Sequence, residues 1–315
     1  MATTVSSAAP PRGARARRVA ARLSVSLALL LLALYLGVSA YAASVVTWPR
    51  RAPLDRTPAA VGAAYRDVSF PARGGDVQIA GWYLPRADAT RAVVLVHGKD
   101  SSRAAEFGGR FVELAAGLQA RGFAVLMIDM RGHGASGDAR FSFGLEERRD
   151  IIGAVDWLRA QGFAPGSVGV LGVSMGAAAG IGAAAEEPAI GALVADCSYA
   201  EIEPLIRRHW TSASGLPDAF LPATLLMGRL ILGHDLTQAR PAEEIDDVAP
   251  RPVLIIHGAA DAFTPVEHGR QLAAANPAAE YWEVPGAAHA RSYAADPQAY
   301  LERVAGFFER SLPAR

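Results

Sequence analysis

The chain contains little cysteine and lysine. Its 315 residues include one cysteine, Cys197, and one lysine, Lys99. A single cysteine cannot form a disulfide within the chain, so the fold must depend on its hydrophobic core. Hydrophobic residues make up 51% of the sequence, enough for one large domain. We expect Cys197 to be a small buried apolar residue rather than a nucleophile.

Acidic residues are absent from residues 1–46, which contain five arginines. The rest of the chain has 26 basic and 31 acidic residues, so the folded part is mildly acidic. An acidic domain argues against nucleic acid as a partner. The histidines and the cysteine do not have the spacing of metal ligands, so we expect no metal and no cofactor.

An uncharged apolar run extends from Leu23 to Val46, directly after the arginines. About 20 apolar residues suffice to cross a bilayer, and basic residues favour the cytoplasmic side. The run predicts a transmembrane signal anchor at 23–46, with a basic cytoplasmic tail at 1–22 and the remaining chain outside the cytoplasm at the cell membrane. Ala40-Tyr41-Ala42 has the small-x-small pattern of a cleavage site, so secretion after signal-peptide cleavage is the alternative.

A proline-rich segment at 47–63 is interpreted as a linker, and a domain is predicted at 64–315. In that domain, short apolar runs alternate with helical patterns, which is typical of an α/β fold with a mainly parallel sheet flanked by helices. The runs predicted as strands are Ala64–Phe70, Val77–Leu84, Ala92–Val96, Phe123–Asp129, Val168–Val173, Ala192–Ala195, Val253–Ile256 and Tyr281–Val284. The patterns predicted as helices are Arg103–Arg121, Leu145–Gln161, Met175–Glu186, Val266–Ala275 and Asp296–Arg310.

One stretch, at about 199–247, has no strand pattern and many apolar residues. It falls between two predicted strands, so it leaves the sheet at the carboxyl ends, where ligands bind in such folds. We interpret it as a helical cap over the site. Trp210 and Leu226 are expected to influence the length of substrate that the site accepts.

The most informative motif is Gly172-Val173-Ser174-Met175-Gly176. A β-branched apolar run precedes it, and a helical run of small residues follows it. A serine in such a strand-to-helix turn presents its hydroxyl to a substrate, and Gly172 and Gly176 would allow the sharp turn and the close packing of the helix. The motif in this setting predicts that Ser174 is a nucleophile.

A serine hydroxyl needs a base to accept its proton and a third group to orient that base. Asp261 follows one predicted strand and His289 follows the last one, so both lie at the same sheet edge as Ser174. We expect Ser174 to attack, His289 to accept and return the proton, and Asp261 to hold the imidazole. Asp196 also follows a strand and is the alternative acid.

These motifs, with His97-Gly98 and the D-x-R-G-H-G-x-S segment at 129–136, resemble the α/β-hydrolase superfamily of serine hydrolases over roughly residues 64–312. Within it the chain is most similar to the monoacylglycerol-lipase and serine-aminopeptidase branch and to membrane-anchored bacterial hydrolases. The resemblance implies an α/β-hydrolase fold and an oxyanion hole formed by the backbone N–H groups of Lys99 and Met175, beside Gly98. We expect His97 to fix the oxyanion loop rather than to titrate in catalysis.

The sequence therefore predicts a serine hydrolase of the carboxylesterase or lipase type. It would act on small-molecule or lipid-like esters with apolar parts through an acyl-enzyme at Ser174. The enzymatic alternatives are an acyltransferase and a serine peptidase or aminopeptidase, for which Glu201, Glu203 and Asp218 could bind a free amine. Outside the enzymes, the alternative is an inactive hydrolase-fold binding module at the membrane.

Overall fold

The computed structural model describes residues 12–314, which form one eight-stranded sheet and the helices around it. The strands are β1 (Arg66–Pro71), β2 (Gln78–Leu84), β3 (Ala92–Val96), β4 (Ala124–Ile128), β5 (Val168–Val173), β6 (Ile190–Asp196), β7 (Val253–Gly258) and β8 (Glu280–Val284). The α-helices are α1 (Arg12–Val46), α2 (Glu106–Gly109), α3 (Phe111–Ala120), α4 (Arg148–Ala160), α5 (Met175–Glu186), α6 (Ile202–Ser214), α7 (Leu221–Leu232), α8 (Pro241–Glu244), α9 (Glu267–Ala275), α10 (Ser292–Ala295) and α11 (Pro297–Ser311).

The sheet has the strand order β1-β2-β4-β3-β5-β6-β7-β8. β1 and β2 pair antiparallel, β2 pairs antiparallel with β4, and the strands from β4 to β8 pair in parallel. The central strands are continuous apolar runs because helices cover both faces of the sheet, and every residue of β3 is buried. This architecture confirms the predicted fold class.

Helices pack on both faces of the sheet. The apolar sides of α4, α5 and α9 form a core on one face, and those of α3 and α11 form a core on the other. α5 is built from alanine and glycine, which lets it lie close to the strands; a Cβ on Gly180 would already lie 3.2 Å from the Leu193 side chain. The close packing of α5 fixes the position of the turn that precedes it.

The sequence pattern at 103–121 predicts one helix, and the structure contains two, α2 and α3. The left-handed stretch lies within α2 at Phe107, Gly108 and Gly109, where φ is 55°, 68° and 85°, and Arg110 then separates α2 from α3. A left-handed backbone ends a helix, and glycine adopts it without steric cost. The prediction of a continuous helix was wrong at this point.

The segment at 47–63, predicted as a linker, lies against the domain. The backbone N–H of Arg50 donates to Asp100 Oδ1 at 2.8 Å, and Ser102 Oγ donates to the carbonyl of Pro53. α1 leads into this segment. The predicted basic tail at 1–22 falls partly on residues 1–11, which lie outside the described residues.

The predicted cap is the excursion between β6 and β7. α6 and α7 lie at the carboxyl edge of the sheet, and α7 packs along the end of α1. The last part of the excursion returns to the body, where Ile245 and Val248 are buried in the core. The part of the excursion that stands outside the body of the domain is therefore the α6–α7 pair.

Candidate active site

Ser174 occupies the turn between β5 and α5, with φ 54° and ψ −118°. Glycines on both sides allow this backbone to fit. A Cβ on Gly172 would lie 2.2 Å from the carbonyl oxygen of Gly176, and a Cβ on Gly176 would lie 2.4 Å from that of His97. No other side chain fits at either position, so the turn holds Ser174 in a strained conformation at the sheet edge.

The structure brings Ser174, His289 and Asp261 together. Nε2 of His289 lies 3.0 Å from Oγ of Ser174, and Nδ1 of His289 lies 2.7 Å from Oδ2 of Asp261. His289 is partly exposed, whereas the carboxylate of Asp261 is buried. In this geometry the imidazole can accept the serine proton through one nitrogen while the other donates to the carboxylate.

The loop after β7 holds the carboxylate of Asp261 in place. The backbone N–H groups of Phe263 and Thr264 donate to its Oδ1 at 3.0 and 2.8 Å. Oδ2 is left to face His289, so the carboxylate cannot rotate away without breaking both bonds. The ring of Phe263 packs against the imidazole of His289, with centroids 4.9 Å apart. This aromatic contact was not predicted from the sequence.

Asp196, the alternative acid, has other partners. Its carboxylate accepts hydrogen bonds from the hydroxyls of Ser292 and Tyr300, each at 3.0 Å. Burial raises the pKa of Asp196 to about 7, against the opposing effect of the two hydroxyls. The Nδ1–H of His289 donates to Asp261 and not to Asp196, so the geometry favours Asp261 as the orienting group.

The loop after β3 passes directly beside Ser174. A Cβ on Gly98 would lie 3.2 Å from the Cβ of Ser174, so a larger residue here would crowd the serine. The backbone N–H of Gly98 donates to Oε2 of Glu106 at 2.7 Å, and Glu106 is buried. Sequence reasoning missed Glu106, because nothing in the local pattern distinguishes it from a surface glutamate. Its carboxylate fixes the peptide that precedes Lys99.

Two histidines brace this region, as predicted for His97. Nδ1 of His97 lies 2.6 Å from the carbonyl of Gly98, and its Nε2 accepts from the N–H of Met130 at 3.1 Å. Nε2 of His133 accepts from the N–H of Asp100 at 3.2 Å. Burial lowers the pKa of both rings, so they remain neutral and can accept these bonds.

Lys99 and Met175 line the same cavity as Ser174. Met175 is the first residue of α5, so its backbone N–H is one of the donors that the helix leaves free. The ammonium group of Lys99 pairs with Asp100 and lies 5.0 Å from the ring centre of Phe141. The ammonium group of Lys99 is thus already paired with a carboxylate, and the backbone N–H of this residue stays the predicted oxyanion donor.

A cavity of about 350 Å³ opens beside Ser174. Most of its cap wall comes from α6. The lining residues are Val46, Lys99, Phe143, Ser174, Met175, Tyr199, Ile202, Leu205, Ile206, His209, Trp210, Ser212, Ala213, Phe263 and Thr264. No aspartate or glutamate belongs to this lining in the described part of the chain, so the cavity suits an apolar, uncharged group.

Two features of the wall differ from the sequence expectation. Trp210 lines the cavity, but Leu226 lies on the outer side of α7 and is 52% exposed. Helical spacing alone does not tell which side of a two-helix cap faces the site. The wall also includes Val46, the last residue of α1, which no local pattern connects with Ser174.

Three side chains at the site are close enough together to be metal ligands. They are Cys197, Asp261 and His289, whose Sγ, carboxylate oxygen and ring nitrogen lie within 4.8 Å of one another. Burial raises the pKa of the Cys197 thiol well above its ordinary value, so the thiol stays protonated and is a poor ligand. Asp261 and His289 already bond to each other. We assign no metal to this group.

Comparisons with known proteins place these features in context. A family model described as X-Pro dipeptidyl-peptidase (S15 family) matches residues 78–304. The uncharacterized protein Rv2307c of Mycobacterium tuberculosis is 30% identical over 250 residues, which cover 78% of this chain and 79% of that protein. The esterase Pf2001 of Pyrococcus furiosus is 25% identical, with a TM-score of 0.68, and the match covers 84% of this chain and 99% of the esterase.

The α/β hydrolase GrgF from Penicillium sp. sh18 matches at 17% identity and a TM-score of 0.63, over 79% of this chain and 99% of its own. At this identity the match concerns the fold alone. The expected α/β-hydrolase fold is thus confirmed, with the cap inserted between β6 and β7.

Proposed function

The chain belongs to the X-Pro dipeptidyl-peptidase (S15) family within the α/β hydrolases, and from this premise we propose that it is a serine ester hydrolase. The observation that carries the proposal is the 3.0 Å contact between His289 Nε2 and Ser174 Oγ, at the floor of an apolar cavity. The similarity to the Pyrococcus furiosus esterase supports it. The substrate class would be carboxylic esters with an apolar acyl or alcohol part.

The proposed reaction has two halves. Ser174 Oγ attacks the ester carbonyl while its proton passes to Nε2 of His289, and Asp261 stabilises the imidazolium through Nδ1. The N–H groups of Lys99 and Met175 stabilise the negative oxygen of the tetrahedral intermediate. The alcohol leaves with the proton from His289. A water molecule, deprotonated by the same imidazole, then attacks the acyl-enzyme. The bond between the acyl carbon and Ser174 Oγ breaks, His289 returns the proton to Oγ, and the carboxylic acid is released.

A peptidase is the second candidate, because the matching family model is named for one. Recognition of a free amino terminus requires carboxylates close to the nucleophile. Glu203 pairs with Arg207, and Asp218 accepts from the hydroxyl of Thr211. Neither lines the cavity, and Glu201 does not line it either. This arrangement favours an ester over a substrate with an amino terminus.

We further propose that α1 is a retained single-pass membrane anchor, with the hydrolase domain outside the cytoplasm. Arg15–Val46 is long and apolar enough to cross a membrane, and it follows the arginine-rich start. Ser39, Ala42 and Ala43 are buried against the body. Cleavage after Ala42 would remove part of this contact, which argues for retention over secretion.

The proposed function is tested with a fluorophosphonate probe on the full-length protein. Such probes react with a serine that a neighbouring base activates. We expect labelling of the wild type and of Ser212→Ala, which changes a second serine lining the cavity, and no labelling of Ser174→Ala. A folded wild-type protein that stays unlabelled would rule out the hydrolase and support a binding module.

Substrate panels then separate the two candidate activities. We expect p-nitrophenyl esters to be turned over with a kcat/KM at least about 100-fold above that for aminoacyl-proline p-nitroanilides, because the cavity offers no partner for an ammonium group. The opposite order would favour the peptidase.

A further inference from the structure

The exposed apolar surface of the body is concentrated on α7. Outside α1, the large apolar side chains that are exposed among residues 12–314 are Trp48, Leu226, Leu230, Ile231 and Phe263. Three of these five lie on α7, the helix that packs along α1. Exposed apolar side chains clustered beside an apolar helix mark a surface that an apolar medium or partner covers.

α1 and α7 pack closely, in a contact that we call the seam and that is formed by residues 35–46 of α1. The Tyr35 hydroxyl donates to the carbonyl of Ala219 at 2.6 Å. Farther along, a Cβ on Gly228 of α7 would lie 4.0 Å from the Cβ of Ala43. Small residues that let two helices approach in this way are typical of contacts inside a membrane.

The length of α1 determines the depth of the seam. Residues 15–34 are exposed, and the buried contacts begin near Tyr35. From Leu23, the first residue after Arg22, to Leu34 the free helix is about 18 Å long, whereas the hydrocarbon layer is about 30 Å thick. Even from Val19 the free part reaches only about 24 Å. An anchor that spans the hydrocarbon layer must therefore include residues 35–42. Since α7 packs against these residues, α7 lies at the same depth in the bilayer.

The composition and the shape of the cap helices suit a position in the bilayer. α6 and the stretch Asp218–Leu232 are together apolar enough for a membrane span, but they are bent by 116° relative to each other. A pair bent this sharply cannot cross a bilayer as one straight helix, and its apolar side chains suit a position along the bilayer surface. Arg229, also exposed on α7, has a side chain long enough to reach the headgroups.

The seam also connects with the catalytic cavity. A second cavity of about 40 Å³ lies between α1 and α7 and is lined by Ala43, Gly228 and Thr224. It shares Val46, Ile206 and Trp210 with the cavity at Ser174. The Oγ1 of Thr224 is buried there and has no hydrogen-bond partner among residues 12–314. The two cavities adjoin each other through these shared side chains, so apolar groups and a single unpartnered hydroxyl extend from Ser174 to the seam.

We propose that α7 is inserted in the outer leaflet beside α1, and that esters of long-chain fatty acids reach Ser174 from the bilayer through the seam. The proposal rests on the proposed ester hydrolysis and on the retained anchor. In this arrangement α1 contributes to the substrate site, because Val46 lines the cavity. The substrate class is then lipid esters dissolved in the membrane. The exposed side chains of α7 are then the surface that the lipid covers.

The first test compares two substrates on the full-length protein in phosphatidylcholine vesicles. One is 1-oleoylglycerol in the bilayer, and the other is water-soluble p-nitrophenyl butyrate. In Leu226→Glu/Leu230→Glu we expect oleoylglycerol hydrolysis to fall at least about tenfold, because charged groups are expensive in hydrocarbon. Butyrate hydrolysis should not change, which also reports an intact fold. Ala274→Glu, at an exposed position of α9, serves as the control and should leave both rates unchanged.

The outcomes separate the two proposals. Wild-type protein that hydrolyses the butyrate but not oleoylglycerol, or a double variant that hydrolyses both at the wild-type rate, overturns membrane delivery and leaves the esterase proposal standing. Wild-type protein that hydrolyses neither ester, and stays unlabelled by fluorophosphonate, overturns the proposed function itself.

A second test measures the position of α7 without reference to activity. Cys197 is buried, so a cysteine introduced at Leu230 can be labelled selectively with an environment-sensitive fluorophore. We expect spin-labelled lipids to quench it and aqueous iodide to leave it bright, with the reverse for a label at Ala274. Equal iodide quenching at both positions would overturn the insertion of α7.

Discussion

The carboxylate of Glu106 accepts a hydrogen bond from the backbone N–H of Gly98, 2.7 Å away, at the point where the loop after β3 passes Ser174. A buried carboxylate bonded to a backbone N–H holds a peptide more firmly than a neutral acceptor does. The next residue is Lys99, whose own N–H is the proposed oxyanion donor. We therefore regard Glu106 as a positioning residue for that donor.

Replacement of Glu106 should lower turnover more than substrate binding. In Glu106→Ala we expect kcat to fall about 10- to 100-fold with little change in KM, because the oxyanion donor loses its alignment. Glu106→Gln keeps an oxygen acceptor and should recover most of the rate. Steady-state kinetics on p-nitrophenyl butyrate, with thermal unfolding as the control, measure both variants. Equal loss in kcat and in stability for both variants would reduce Glu106 to a structural role.

The identity of the orienting acid can be tested by exchanging each carboxylate for its amide. Asp261→Asn leaves the Nδ1–H of His289 without an anionic acceptor, so kcat should fall about 10⁴-fold. Asp196→Asn should keep kcat within about tenfold of the wild type, because Asp196 bonds to Tyr300 and Ser292 instead. The kcat values of the two variants at pH 8 decide which carboxylate orients His289. A large loss for Asp196→Asn alone would transfer the role to that residue.

Asp196 should also make stability depend on pH. Its pKa is raised to about 7 in the folded protein by burial, above the value of about 3.9 for an unfolded chain. The folded state therefore binds the proton more tightly, and the stabilisation is complete below about pH 4 and is lost as the pH rises through about 7.

Between these limits the contribution of Asp196 to the free energy of unfolding should fall with pH by at most about 1.4 kcal/mol per unit. Asp196→Asn carries no titrating proton and should show a flatter profile from pH 5 to 8. Asp247→Asn, a change at an exposed aspartate, should leave the profile as in the wild type. Denaturant unfolding at several pH values measures the three proteins, and parallel profiles for wild type and Asp196→Asn would contradict the prediction.

Ile206 should control the length of acyl chain that the site accepts, because it lines both the cavity at Ser174 and the small cavity between α1 and α7. Ile206→Ala opens the passage and should move the optimum towards longer chains. Ile206→Trp closes it and should move the optimum towards shorter ones. Burial of one methylene group contributes about 0.8 kcal/mol of binding free energy. Each methylene that becomes buried or exposed should therefore change kcat/KM about fourfold.

A series of p-nitrophenyl esters from acetate to palmitate measures this shift. Leu301→Ala, a half-buried change on α11 away from the cavity, is the matched control. An unchanged chain-length profile in both Ile206 variants would place the acyl chain elsewhere.

Several site residues could be predicted because their signals are local. Ser174 lies in a motif that combines a strand, two glycines and a helix of small residues. Asp261 and His289 each follow a buried apolar strand. In a parallel sheet the carboxyl ends of all strands meet at one edge, so their approach follows from the fold class. The break between α2 and α3 was missed because the helical pattern continues through it, while the left-handed backbone at Phe107 depends on packing.

The amino-acid sequence by itself determined the strands, the turn at Ser174, the apolar length of α1 and the presence of a cap, because each depends on the spacing of apolar and small residues along a short stretch. Only the tertiary structure decided that Glu106 supports Gly98, that Trp210 rather than Leu226 faces the cavity, and that Val46 forms part of its wall. The physical reason is that these contacts join segments far apart in the chain. Which residues make these contacts depends on how whole helices pack around Ser174, and a local sequence pattern does not predict that packing.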